Sequence, residues 1–272
     1  MKHQPREEDD HHTTTKAFME FLRLRPRSVG KRVMGHREEP LYLDKEKDVH
    51  YFGSRSKMPG ALLSNFAEAK NPFETPSMPG RKFTNSEAAW MVYRVHESDR
   101  DRFARGGDLS TLKEGAPKVF DKDVEKKKGT WGPQKKTGKP AMPGVIAKMA
   151  VKEKRMKKLG LTPGEGKPDL DTVAYIDQVA VPRFGEILVN KYGKNPEMLS
   201  ALLATGDKHL VEFNKGAERN ERKANPPLWT GLISTTQVDD QGRGKLCGDN
   251  LQGEIQMLIR AFFRREQRAT ES

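Results

Sequence analysis

The chain has a single cysteine, Cys247, in 272 residues. A disulfide framework within the chain is therefore excluded, as is a four-cysteine zinc site, and a lone thiol fits a reducing compartment. No apolar run approaches the roughly 18–20 residues that a membrane-spanning helix needs. Residues 1–12 lack the apolar centre of a secretory signal. The chain therefore reads as a soluble intracellular protein, cytoplasmic or nuclear, with no membrane partner. Several chemical signatures are missing as well. No G-x-x-x-x-G-K-S/T is present, so a P-loop is not expected, and the glycines of 242–253 do not follow a strand–turn–helix pattern. H-E-x-x-H is absent, and His11 and His12 are adjacent near a terminus, so neither a metal nor a cofactor is expected. Cys247 has no evident histidine partner and is not read as a nucleophile.

Polar residues fill the space. Hydrophobic residues make up 34% and charged residues 32%, polar enough that some segments should be extended or disordered. The net charge of +12 is concentrated: residues 121–168 hold 14 Lys and Arg against 5 Asp and Glu. Such a block suits nucleic acid, phosphate or a membrane surface, or is a solvated lysine-rich insertion. Only Phe120 and Trp131 are interleaved with it, so it is not a base-stacking platform.

Along the chain, residues 1–40 read as a polar, flexible N-terminal extension with a short helix over 16–24 carrying Phe18 and Phe21. Tyr51 and Phe52 read as a strand. Residues 71–82, with three prolines and Gly80, read as a loop or edge segment. Periodicity is weak over 113–168, except for one amphipathic helix over 144–161 marked by Val145, Ile146, Met149, Met156 and Leu159. Helical spacing resumes over 171–192, interrupted at Pro182. Pro196 opens the next helix, and Gly206 reads as its left-handed cap. Leu210, Val211 and Glu212 are strand-like, 214–227 is a polar loop, 228–233 is a strand or turn, and 239–249 is glycine-rich. A final helix over 253–264 puts Ile255, Leu258, Ile259 and Phe262 on one face. The expected fold is α+β: a helix-rich single domain over 41–266 with a small sheet, a basic insertion at about 113–168 and a flexible tail over 267–272.

The stretch Phe83-Thr84-Asn85-Ser86-Glu87-Ala88-Ala89-Trp90-Met91 reads as a helix start, with Thr84 and Glu87 spaced as a capping box. Ala88, Met91, Val92 and Val95 form its apolar face. Glu87, Trp90 and Arg94 fall on another face, which either presents a carboxylate to a ligand or only caps the helix.

Three stretches together resemble the NADAR domain family, whose name refers to NAD and ADP-ribose. Leu63-Ser64-Asn65-Phe66 is like the family's L-S-N-F, and Ser86-Glu87-Ala88-Ala89-Trp90-Met91 is like its glutamate-bearing helix. Leu202-Leu203-Ala204-Thr205-Gly206-Asp207, with Leu210-Val211-Glu212, leads to Gly248-Asp249-Asn250-Leu251-Gln252-Gly253 and Met257-Leu258-Ile259-Arg260, like the family's G-x-N-x-L-G and L-M-x-x-R. The order and spacing carry the likeness, over about residues 50–264 apart from the insertion. Two departures stand out. Arg94 replaces a lysine common about seven residues after the glutamate, and Trp229 lies in a P-P-L-W-T-G context rather than an acid followed by W-G.

The resemblance implies an N-glycosidase-like, helix-rich enzyme acting on ADP-ribose-modified nucleic acid, DNA or RNA, with no obligate protein partner. Alternatives are a small phosphorylated riboflavin-pathway substrate, or a non-catalytic ADP-ribose or nucleic-acid binding module. It puts the essential carboxylate at Glu87, where a helix N-terminus should keep it ionised. Arginine cannot form an imine because its guanidinium stays protonated. Lys191, on the family's lysine–aromatic pair with Tyr192, is therefore the candidate amine. Asn65 holds a ribose hydroxyl or phosphate, or stabilises a turn. Phe66 and Trp90 stack on a base or belong to the core. Arg94 pairs with Glu87 or with pyrophosphate. Ser86 and Trp229 lie in the same motifs, and Gly248 and Asn250 line the pocket or form a tight turn.

Overall fold

The computed structural model describes residues 7–25, 28–35, 38–53, 56, 58–110, 144–164, 172–223 and 226–271. In chain order the elements are α1 (Glu7–Arg23), α2 (Val29–Gly35), β1 (Tyr42–Leu43), β2 (Val49–Phe52), β3 (Phe73–Thr75), β4 (Met78–Phe83), α3 (Ser86–Met91), α4 (Gly144–Ala150), α5 (Glu153–Leu159), α6 (Val173–Tyr175), α7 (Val181–Lys194), α8 (Pro196–Leu203), β5 (His209–Glu212), α9 (Ala217–Arg222), β6 (Leu232–Val238), β7 (Gly244–Cys247) and α10 (Leu251–Glu271). The fold is α+β and helix-rich, as expected, and among the described residues the strands form three small sheets rather than one. Most of the basic insertion, including Phe120 and Trp131, lies outside the described residues. No described helix is long and apolar enough to cross a membrane.

Two compact units emerge, each from discontinuous segments: Met1–His12, Asn65–Lys167 and Asn190–Asn195 in the first, Thr13–Ser64, Pro168–Val189 and Pro196–Ser272 in the second. Boundaries drawn at 40 and 266 from composition do not follow this division.

In the second unit, β1, β7 and β6 form an antiparallel sheet in that order, with Ile233 opposite Leu246. β2 and β5 pair in parallel, Val49 opposite His209. Val49, Val211, Ile233 and Leu246 make a shared apolar cluster. α10 buries Ile255, Leu258, Ile259 and Phe262, the face expected from spacing. Phe18 and Phe21 set their rings against Phe262 at 5.4 and 5.7 Å. The segment over 16–24 is thus packed rather than loosely attached. Burying a phenylalanine contributes about 1.5–3 kcal/mol, which an average over a polar stretch of forty residues conceals. The helical run over 173–194 passes through a π-helical turn at Ile176–Ala180 just before Pro182, which has no N–H to give to that preceding turn. Within the stretch expected as loop over 214–227, α9 forms, and β7 forms within the glycine-rich 239–249.

In the first unit, residues 71–82 take the edge-segment alternative and form a hairpin, with Phe73 opposite Phe83 and Thr75 opposite Met78. The prolines are compatible with it. Pro72 precedes β3, Pro76 falls between the strands, and Pro79 lies in a two-stranded ribbon where every strand is an edge. The helix expected over 144–161 is divided into α4 and α5, the latter ending at Gly160 in the left-handed conformation (φ 63°). Asn71 and Asn195 exchange hydrogen bonds: the Asn71 N–H donates to Asn195 Oδ1 (2.8 Å) and Asn195 Nδ2 donates to the Asn71 carbonyl (2.9 Å). That clasp anchors the end of α7, one turn beyond Lys191.

Candidate active site

α3 begins differently from the capping-box expectation. Its N-cap is Asn85, whose Oδ1 accepts the Ala88 N–H at 2.8 Å. Thr84 is therefore not the cap, and Glu87 is not spent on closing a box. The helix lasts one and a half turns before a tight 3-10 turn at Val92–Arg94. Ala88, Met91, Val92 and Val95 are buried, as their spacing indicates. The Glu87 N–H donates to the Asn65 carbonyl at 3.1 Å, so the Asn65-Phe66 stretch lies against the start of α3.

The Glu87 side chain is 5% exposed. Burial pushes its carboxyl above the usual range, opposed by Lys148, by hydrogen bonding from Asn65 and, least, by Arg94. A helix N-terminus favours the charged form of Glu87, and desolvation of the buried carboxylate works against it. Lys148 Nζ stands 3.6 Å from Glu87 Oε1, a charge contact just beyond hydrogen-bond reach, and Oε1 has no hydrogen-bond donor among the described residues. The same ammonium lies 5.3 Å from the centre of the Phe66 ring.

α4 delivers that lysine. A Cβ on Gly144 would stand 2.8 Å from Asn85 Oδ1, from Glu87 Cβ and from Phe66 Cδ1, so only glycine lets α4 approach this closely. Ala147 and Ala150 are also buried. Small residues every third position could have signalled the close approach. Nothing in a run of lysines, however, singles out Lys148.

Lys191 is wholly buried, not an outward-facing lysine at a helix end. Its Nζ donates to Ser86 Oγ at 3.3 Å and lies 5.9 Å from the centre of the Tyr192 ring. Burial lowers its amine to about 7, so near neutrality a large fraction is uncharged and nucleophilic. Ser86 thus takes the amine, and its neighbour in sequence carries the acid.

The remaining residues divide. Trp90 is half-buried with its ring edge-on to Tyr93, at 5.9 Å. Arg94 is exposed in the 3-10 turn and reaches Glu87 only through its charge. Because α3 ends at Met91, Glu87, Trp90 and Arg94 do not form one continuous helical face. Trp229, Gly248 and Asn250 belong to the second unit. The Trp229 ring meets Phe184 at 5.5 Å. Gly248 has φ +86°, and a Cβ there would collide with the Thr230 carbonyl oxygen. Asn250 Oδ1 accepts the Glu212 N–H (3.1 Å) and its Nδ2 donates to the Leu210 carbonyl (2.7 Å), so both ends of its amide hold β5.

Among the described residues, no group of three or more His, Cys, Asp or Glu side chains is placed to hold a metal ion. Burial and the neighbouring Glu221 push the Cys247 thiol up to about 12, which leaves it protonated. A polar cleft of about 310 Å³ in the first unit is lined by Glu68, Lys70, Thr84, Arg105 and Ser110 among others. Within that unit the geometry joins Glu87, Ser86, Lys191, Asn65 and Phe66, and adds Lys148. Compared with known proteins, the chain matches no family model and no curated protein.

Proposed function

We propose that the protein is an N-glycosidase that removes ADP-ribose from guanine bases of nucleic acid. One observation carries the reading: the buried amine of Lys191 donates to Ser86, the residue that precedes the buried carboxylate Glu87 in α3. A buried acid and a buried amine with perturbed proton affinities make a functional-site candidate. The likeness to the NADAR family supports it further, because two of the three stretches that bear the likeness, at Asn65-Phe66 and Ser86-Glu87, are joined by a backbone hydrogen bond.

The chemistry follows from the reacting bond. As the bond from ribose C1″ to the guanine nitrogen breaks, its electron pair leaves with the base, which takes up a proton. Positive charge builds at C1″, and an ionised Glu87 beside it stabilises that charge or takes the proton of an attacking water. Lys191 offers a second route. Its neutral amine bonds C1″ as the base departs, the sugar ring opens to an imine, and water hydrolyses the imine to free ADP-ribose and regenerate the amine. Neither route needs a metal.

The test is direct. ADP-ribosylated guanine oligonucleotide incubated with the protein should yield free ADP-ribose. Glu87→Gln should lower the rate by about 100-fold or more, the usual weight of a positioned acid or base. A normal rate in that variant would remove Glu87 from the mechanism. Binding without release by the wild-type protein would instead support a non-catalytic module.

A further inference from the structure

We propose that Lys148 is the positioning counter-ion of the Glu87 carboxylate, a role that neither the motif residues of α3 nor Arg94 fills. The inference uses the proposed reaction only in treating Glu87 as the working acid. Three features of the first unit carry it. Lys148 Nζ is 3.6 Å from Glu87 Oε1, the oxygen that lacks a hydrogen-bond donor. The ammonium is held from a second side by the face of Phe66. One helical turn earlier, Gly144 has no Cβ to keep α4 off Asn85, Glu87 and Phe66.

Other charges around Glu87 are weaker or occupied. Arg94 extends from its own helix into solvent and contributes least. On β4, Arg81 is paired with Asp101 and Glu97 of the 97–103 turn, and in that turn Arg102 is paired with Asp108. From α7, the Lys191 amine donates to Ser86. Asn65 contributes a hydrogen bond but no charge. Among the described residues, Lys148 is therefore the cation that most offsets the cost of burying this carboxylate. Its side chain is 57% exposed, so the attraction is partly screened and should weaken in high salt.

The test reads the ionisation of Glu87 itself, with turnover as a separate measurement. In full-length protein labelled with 13C at the glutamate side-chain carboxyl, the Glu87 signal is assigned by its loss in Glu87→Gln and followed by NMR against pH. Lys148→Met should raise the proton affinity of Glu87 by about tenfold, the low end of what an opposite charge at this distance does. Lys148→Arg should restore a midpoint near that of wild type, and Arg94→Met should move it less than Lys148→Met. Should the methionine variant fail to fold, Lys148→Gln carries the same expectation. An unmoved midpoint in Lys148→Met, or a larger rise in Arg94→Met, overturns the proposal. If wild-type protein releases no ADP-ribose while the midpoints move as stated, the glycosidase reading falls and the counter-ion stands.

Discussion

Replacing Lys191 with methionine should stabilise the protein, and the stabilisation should depend on pH. Methionine keeps the length of the side chain and removes the charge. The lysine amine titrates at 10.5 in an unfolded chain and at about 7 where it is buried. Between those values the unfolded state binds more protons than the folded state, so wild-type stability rises with pH across this window. Below pH 7 both states are protonated and the full penalty applies. Above 10.5 both are neutral and it vanishes. Linkage puts the cost at roughly 4 kcal/mol at pH 7 and roughly 2 kcal/mol at pH 9. Lys191→Met also deprives Ser86 Oγ of its donor, in a serine that is wholly buried. That loss costs about 1–3 kcal/mol, but it does not vary with pH and only offsets the curve. Urea unfolding of both proteins at intervals from pH 7 to pH 9 measures the difference. The advantage of the variant should shrink by about 2 kcal/mol over that range. Parallel stability curves would refute the argument, because an amine that does not titrate in this window is not buried as described. If Lys191 also acts as the amine nucleophile, wild-type turnover should rise with pH through a midpoint near 7.

Two further substitutions test the supports of the site. Gly144→Ala forces a methyl group to within 2.8 Å of three atoms of the first unit. It should cost about 1–3 kcal/mol, as overpacking does, seen as a lower Tm together with a loss of turnover beyond the loss of folded protein. Asn250→Ala removes both hydrogen bonds to the β5 backbone and leaves alanine at φ 52°. It should destabilise by about 3 kcal/mol in urea unfolding. Turnover per folded molecule separates its roles, staying unchanged if Asn250 only holds β5 and falling if it also meets the ligand.

What could be read in the sequence depended on how local the cause was. The buried face of α10 follows from residues within a few turns of one another, and so does that of α3; their spacing marked both. The hairpin over β3 and β4 was hidden by its prolines, because a two-stranded ribbon leaves open positions for them that a larger sheet does not. The packing of α1 was hidden by averaging, since two phenylalanines among polar neighbours are enough to bind it to Phe262. At the site, Glu87 was visible as a carboxylate beside a helix start. Its burial was not, because that depends on α4, more than fifty residues further along, closing through a glycine.

Burial acts on the two central groups in opposite senses, and this is what gives the pair its chemical interest. Desolvation drives the Glu87 carboxyl up and the Lys191 amine down, so their proton affinities approach one another from the acid and the basic sides. Lys191, lowered to about 7, can exist in either form near neutral pH, which a lysine amine in water does not. The balance between them then falls to the neighbours. Lys148 favours a charged Glu87, while the amine of Lys191 is lowered by burial. Near neutrality the Lys191 amine is partly free to attack. Moving Lys148 away would drive Glu87 toward its neutral form and, in the proposed reaction, remove the charge offered to the developing cation at C1″.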